Sequence, residues 1–171
     1  MSDSNRMLKW LWLSALVVAL DLASKAVATH YLTLYQPVPL FPGFNWTLAH
    51  NLGAAFSFLS DEPGWQRWFF SFISLAVSVG IIIWLKRLAS TQQWLAAALA
   101  LVLGGALGNL WDRVTLGYVV DFIDVYYQQY HWPAFNLADS AICVGAALLV
   151  IDSLKGTHSE SAEKTDKVNE T

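Results

Sequence analysis

Four apolar stretches constrain this 171-residue chain more than any other feature. They run about Leu8–Val27, Trp68–Leu85, Trp94–Leu110 and Phe135–Leu154. Each approaches the roughly twenty residues a helix needs to cross the hydrocarbon core of a bilayer. In that core every backbone polar group must be satisfied within the segment, which favours helices. A soluble domain carries about 25% charged residues, whereas this chain has 13% and is 56% hydrophobic. The expected class is therefore an all-α polytopic membrane protein with four transmembrane helices. A formal net charge of −3 gives no reason to expect a nucleic-acid partner.

Basic residues set the expected orientation. Arg6 and Lys9 precede the first stretch, Lys86 and Arg87 follow the second, and Lys155 follows the fourth. The loops Ala28–Gln66 and Val114–Ala134 contain no Lys or Arg. Both termini and the Lys86–Gln93 connection are thus expected in the cytoplasm, and the two long loops outside. A cleaved signal peptide is the rival reading of the first stretch. Asp21 and Lys25 interrupt its cleavage region, and three later spans need a first one to set their topology.

Residues 1–155 read as a single domain and 156–171 as a polar cytoplasmic tail without structure of its own. In the first loop (about 28–66), Pro37, Pro39, Pro42 and Gly43 punctuate β-prone runs at Tyr31–Tyr35 and Phe44–Leu48, which predicts a small extracytoplasmic β-rich subdomain. Ser60-Asp61-Glu62-Pro63 reads as the start of the second helix. Tyr126, Tyr127, Tyr130 and Trp132 mark the connection at about 114–134 as an interfacial segment.

The informative polar residues cluster in and after the third stretch. Gly104 and Gly108 share a helix face and let a neighbouring backbone approach. Asn109 and Arg113 share a face by the same spacing. The helical pattern stops at Gly117, and Val119-Val120-Asp121-Phe122 then places a carboxylate in apolar surroundings. An ionised carboxylate there costs several kcal/mol unless paired, so it implies a partner or a task. The candidate partner is Asp139, at the start of the fourth stretch. Asp21 and Lys25, four apart, read as an intrahelical ion pair that supports a site. Cys143, the only cysteine, excludes an internal disulfide and reads as a buried, inert thiol. No His or carboxylate cluster has metal-ligand spacing, no serine-hydrolase motif occurs, and no cofactor is implied.

Two carboxyl groups at contact distance cannot both ionise easily and share a proton. The ionised member can then take a proton from water while the neutral one polarises a carbonyl, as in aspartic proteases. The competing class is a small ion- or proton-coupled transporter using the same charges as a relay. It lacks ionisable groups across the inner half of the helices.

The chain resembles the bacterial lipoprotein signal peptidases (signal peptidase II). The resemblance rests on Asp21 and Lys25, on Asn51-x-Gly53-Ala54-Ala55-Phe56-Ser57, and on Gly104-Gly105-Ala106-x-Gly108-Asn109-x-x-Asp112-Arg113. Gly117-Tyr118-Val119-Val120-Asp121-Phe122 and Phe135-Asn136-x-Ala138-Asp139 complete it. It implies a monomeric inner-membrane endopeptidase that removes signal peptides from diacylglyceryl-modified prolipoproteins, working near the periplasmic face among membrane lipids. By the motif match Asp121 and Asp139 would be catalytic. Asn51, Gly53, Asn109, Arg113, Asn136 and Ala138 would line or support the site, and Asp21 and Lys25 would be structural. Trp111 is larger than the aliphatic residue expected at its position, which raises a question of local packing.

Overall fold

A computed structural model describes residues 3–53 and 64–169, with side chains described for 7–53 and 64–154. The motif residues Ala54–Ser57 and the expected helix start at Ser60–Pro63 lie outside the described residues. A short 3-10 turn, Asp3–Trp10, leads into α1 (Leu11–Tyr31). Strands β1 (Val38–Phe41) and β2 (Phe44–Asn51) follow, then α2 (Trp65–Arg87) and α3 (Gln93–Thr115). Strands β3 (Val119–Tyr127) and β4 (Tyr130–His131) precede α4 (Leu137–Asn169). Four segments are long and apolar enough to cross a membrane: Met7–Tyr31, Trp65–Arg87, Gln93–Thr115 and Leu137–Leu154. They match the four expected stretches.

Helix α3 is the central helix, packed against α1, α2 and α4. The buried positions of α1 show why it faces α3 along one stripe. Ser14, Val17, Asp21, Lys25 and Ala28 are spaced by three and four residues. Small residues on α3 make the contact close. A Cβ on Gly104 would stand 2.7 Å from Val17 Cβ, and one on Gly108 would stand 2.6 Å from Asp21 Oδ2. Both expected glycines therefore face α1. A cluster of Met7, Ile81, Leu85, Leu88, Ala96, Leu99 and Leu103 fills the opposite end of the bundle, remote from the sheet.

The sheet has four strands in the order β1-β2-β3-β4, each pair antiparallel. It corrects one sequence expectation and fills in another. Tyr31–Tyr35 is not a strand: α1 continues through Tyr31, and the first strand begins at Val38. Helix propagation is favourable once a nucleus exists, and the chain leaves the helix only at Leu32, whose backbone is extended. The connection expected at the interface, 114–134, folds into the sheet. Its Val-, Ile-, Phe- and Tyr-rich run becomes β3 and pairs with β2 from Phe44↔Val125 to Asn51↔Val119. A second difference lies at the C-terminus, where the backbone of the expected tail continues α4 to Asn169. Adding residues to an existing helix needs no new nucleus.

Gly117 makes the turn from α3 into β3. Its φ of +92° lies in the left-handed region, and Leu116 N–H (2.7 Å) and Gly117 N–H (3.3 Å) donate to Asp112 O. This turn delivers Asp121 to the end of the bundle where α4 begins.

Candidate active site

Asp139 belongs to the N-terminal cap of α4. Asn136 precedes the helix, and its Oδ1 accepts the Asp139 N–H at 2.9 Å. In return Asp139 Oδ2 accepts the Asn136 N–H at 3.2 Å. This reciprocal arrangement is a capping box, with Asp in place of the usual Glu or Gln. It fixes the carboxylate with one backbone donor and leaves Oδ1 to accept from Asn109 Nδ2 at 2.7 Å. Asp139 is half-buried, open to a cavity on one side.

Asp121 is held by two amides. Asn136 Nδ2 donates to its Oδ1 at 2.8 Å and Asn51 Nδ2 to its Oδ2 at 3.0 Å. Asn51 is itself aimed by Gly53, whose N–H donates to Asn51 Oδ1 at 2.8 Å. Gly53 has φ +104°, and a Cβ there would meet the Phe70 ring at 2.7 Å, so the position accepts only glycine. Asn136 therefore spans the two carboxylates, with its amide on Asp121 and its backbone on Asp139. Burial and, next, the negative charge of Asp139 push the Asp121 carboxyl up to about 7, against the opposing donors Asn51 and Asn136.

Beneath this pair lies a charged cluster in the helices. Lys25 Nζ stands 2.7 Å from Asp21 Oδ2 and 2.9 Å from Asp112 Oδ2. It also donates to Asn109 Oδ1 at 3.1 Å. The contact to Asp21 Oδ2 has the distance of an ion pair without the angles of a hydrogen bond. The other contacts of the two carboxylates explain the cluster. Asp21 Oδ1 accepts the Ala138 N–H at 2.9 Å, and Asp112 Oδ2 accepts the Val120 N–H at 3.1 Å. Ala138 adjoins Asp139 and Val120 adjoins Asp121. One buried lysine thus ties together the backbone beside each aspartate.

The expected site residues Asp121, Asp139, Asn51, Asn109 and Asn136 come together, with Asp21 and Lys25 below them. Gly53 acts through Asn51, and Ala138 through its N–H. Arg113 lies within electrostatic reach of Asp139 and Asp121 without bonding to either. Its Nη1 donates to Asn109 O at 3.4 Å and its guanidinium lies 5.4 Å from the Phe70 ring. Among the described residues it makes no ion pair with either aspartate. Asp112 was quoted in the motif without a role. Its distance of four residues from Gly108, which faces Asp21, was the signal that could have placed it against Lys25. Trp111 points outward at 57% exposed, so its size disturbs no packing.

A cavity of about 530 Å³ opens beside Asp139, lined also by Asn51, Trp132, Phe135, Ser140 and Cys143. Cys143 corrects an expectation. It is exposed rather than buried, because its distance of four residues from Asp139 puts both on the cavity side of α4. Among the described residues no group of three His, Cys, Asp or Glu could hold a metal ion.

The model of the family described as Signal peptidase (SPase) II matches residues 13–155. The chain belongs to the signal peptidase II family. A lipoprotein signal peptidase of Teredinibacter turnerae is 60% identical over 88% of this chain and 89% of its own length. That of Pseudomonas aeruginosa is 54% identical over 95% and 98%. A solved structure described as a bacterial membrane enzyme superposes with a TM-score of 0.77 at 31% identity, covering 87% of this chain and 89% of that one. The signal peptidase II match spans all four membrane-length helices and the strands between them, so this chain is a multi-pass membrane peptidase.

Proposed function

We propose that Asp121 and Asp139 form the catalytic dyad with which this signal peptidase II removes signal peptides from diacylglyceryl-modified prolipoproteins. The observation that carries the reading is Asn136, which holds both carboxylates in one hydrogen-bonded frame beside an open cavity. Asp121, buried and pushed up to about 7, is the member on which the fold favours the proton. Asp139, whose oxygens accept from Asn109 and the helix N-terminus, is the ionised member. A water between them gives a proton to Asp139 and attacks the scissile carbonyl, while the Asp121 proton moves towards the developing oxyanion. On collapse the proton on Asp139 passes to the departing amine, and Asp121 recovers its own. The two asparagines and the capping box hold the pair before substrate arrives, so little reorganisation is needed in the transition state.

The basic flanks of the helices support an inner-membrane orientation with both termini in the cytoplasm and the dyad near the periplasmic face. The decisive experiment is cleavage of lipid-modified and unmodified precursors by Asp121→Asn and Asp139→Asn. Both variants should remain folded and lose turnover by at least about 1,000-fold. Near-normal cleavage by either would remove that residue from the dyad.

A further inference from the structure

Trp132, Pro133, Ala134 and Phe135 form one wall of the cavity beside Asp139. Backbone bonds hold this wall at its two ends, with none among the described residues at Pro133 or Ala134 between them. β4 pairs only through Tyr126↔His131 and Tyr127↔Tyr130. The Trp132 N–H donates to Val125 O at 2.8 Å, and Phe135 closes the far end against Ile123. Pro133 has no N–H to add. A ribbon this short is marginal without further support.

A side-chain anchor meets the wall at its start. Asp124, buried on β3, accepts from Asn45 Nδ2 at 2.9 Å and Thr47 Oγ1 at 3.1 Å, both through Oδ2. Its Oδ1 lies 2.7 Å from His131 Nδ1. An ionised carboxylate only accepts hydrogen bonds, so Nδ1 carries the proton of this contact. Burial pushes Asp124 up, but donors from Asn45, His131 and Thr47 outweigh it and hold the carboxyl below the usual range. The His131 ring stacks on Tyr126 with centroids 5.1 Å apart. Neither Asp124 nor His131 bonds to Asp121, Asp139 or the asparagines that hold them.

We propose that the Asp124–His131 pair is a latch that positions the Trp132–Phe135 wall, making His131 a positioning residue for substrate binding. The proposal rests on reading the cavity beside Asp139 as the substrate groove. β2 fixes Asp124, Asp124 fixes His131, and His131 is joined directly to Trp132, the first residue of the wall. The latch makes no bond to the reacting groups, so its loss weakens the groove and leaves the dyad's own hydrogen bonds intact.

The test uses the full-length enzyme in micelles with a diacylglyceryl-modified precursor peptide. His131→Ala and Asp124→Asn should each raise KM about three- to fivefold, the factor expected of one hydrogen bond to a carboxylate exposed on one side. kcat should stay within about twofold, and the double variant should be no worse than the weaker single one. His131→Asn, whose Nδ2 can replace the imidazole Nδ1, should restore KM. Hydrogen exchange at the Trp132 amide reads the strap without any substrate and should quicken in both single variants. Unchanged exchange would overturn the latch. Faster exchange with unchanged KM would overturn its part in the groove. Asp121→Asn, assayed alongside, keeps the outcomes separate, since full turnover by that variant would sink the dyad reading alone.

Discussion

Asp121 is 1% exposed, and its carboxyl is pushed up to about 7 by burial and then by the charge of Asp139. A raised pKa means that the fold favours the protonated form. Its contribution to stability is fully present below the unfolded value of about 3.8 and is lost as pH rises to about 7. Removing the charge should therefore stabilise the protein in neutral and alkaline solution. Asp121→Asn should be more stable than the parent above pH about 7, by about 1–3 kcal/mol, and unfold at a higher temperature. The full linkage effect is larger, but the new amide must face the Asn51 donor. The advantage should shrink steadily as pH falls from about 7 to about 4. Thermal unfolding across that range checks it, and a gap that did not change with pH would show that Asp121 is not held protonated. The same titration sets the alkaline limb of cleavage, since a doubly ionised dyad has no proton to give the carbonyl. The limb should report an apparent value near 7 that belongs to the pair rather than to one residue.

At the scale of elements, the site depends on how closely α3 and α4 approach. A Cβ on Gly105 would collide with the Ala138 carbonyl and stand 2.7 Å from Ile142 Cγ1. The first obstacle is backbone at the start of α4, which no change of rotamer can move aside. Gly105→Ala should therefore displace the capping box that holds Asp139. We expect destabilisation of about 1–3 kcal/mol, typical of overpacking, and a loss of cleavage larger than that instability explains. Cleavage and unfolding measured on the same preparation would decide, and parent-like activity would show that α4 can retreat without harm. The sequence revealed Gly104 and Gly108 as a packing face but not Gly105, because spacing within one helix cannot say which neighbour lies on its other side. The same limit hid β3. Val119–Tyr127 carries a strand-like composition, but the partner that makes it a strand is β2, about seventy residues earlier. The carboxylate pair and the Asp21–Lys25 contact were legible, because burial of charge in apolar surroundings forces a partner wherever the chain runs. Exposure of Cys143 was not legible, since a helix that is apolar all round gives no sign of which face borders a cavity.

At the scale of the whole molecule, the decisive relation is between the proposed dyad and the lipid around the bundle. Asp139 lies in the first turn of a membrane-length helix, and the cavity beside it continues along α4 past Ser140 to Cys143 and Val144. The latter two are exposed on the bundle surface, where acyl chains surround a spanning helix. A substrate with two acyl chains can enter along that face without carrying them through water, which would cost roughly 0.8 kcal/mol for each methylene exposed. Entry from the side makes the relevant concentration that of substrate within the membrane phase. In mixed micelles at fixed enzyme and total substrate, adding detergent below saturation should slow cleavage in proportion to the falling mole fraction of substrate. Diluting micelles and substrate together at constant mole fraction should leave the rate per enzyme unchanged while each micelle still exchanges its contents rapidly. A rate that followed bulk substrate concentration, with no dependence on mole fraction, would mean that the precursor reaches the dyad from water through the sheet side, and lateral entry would be wrong.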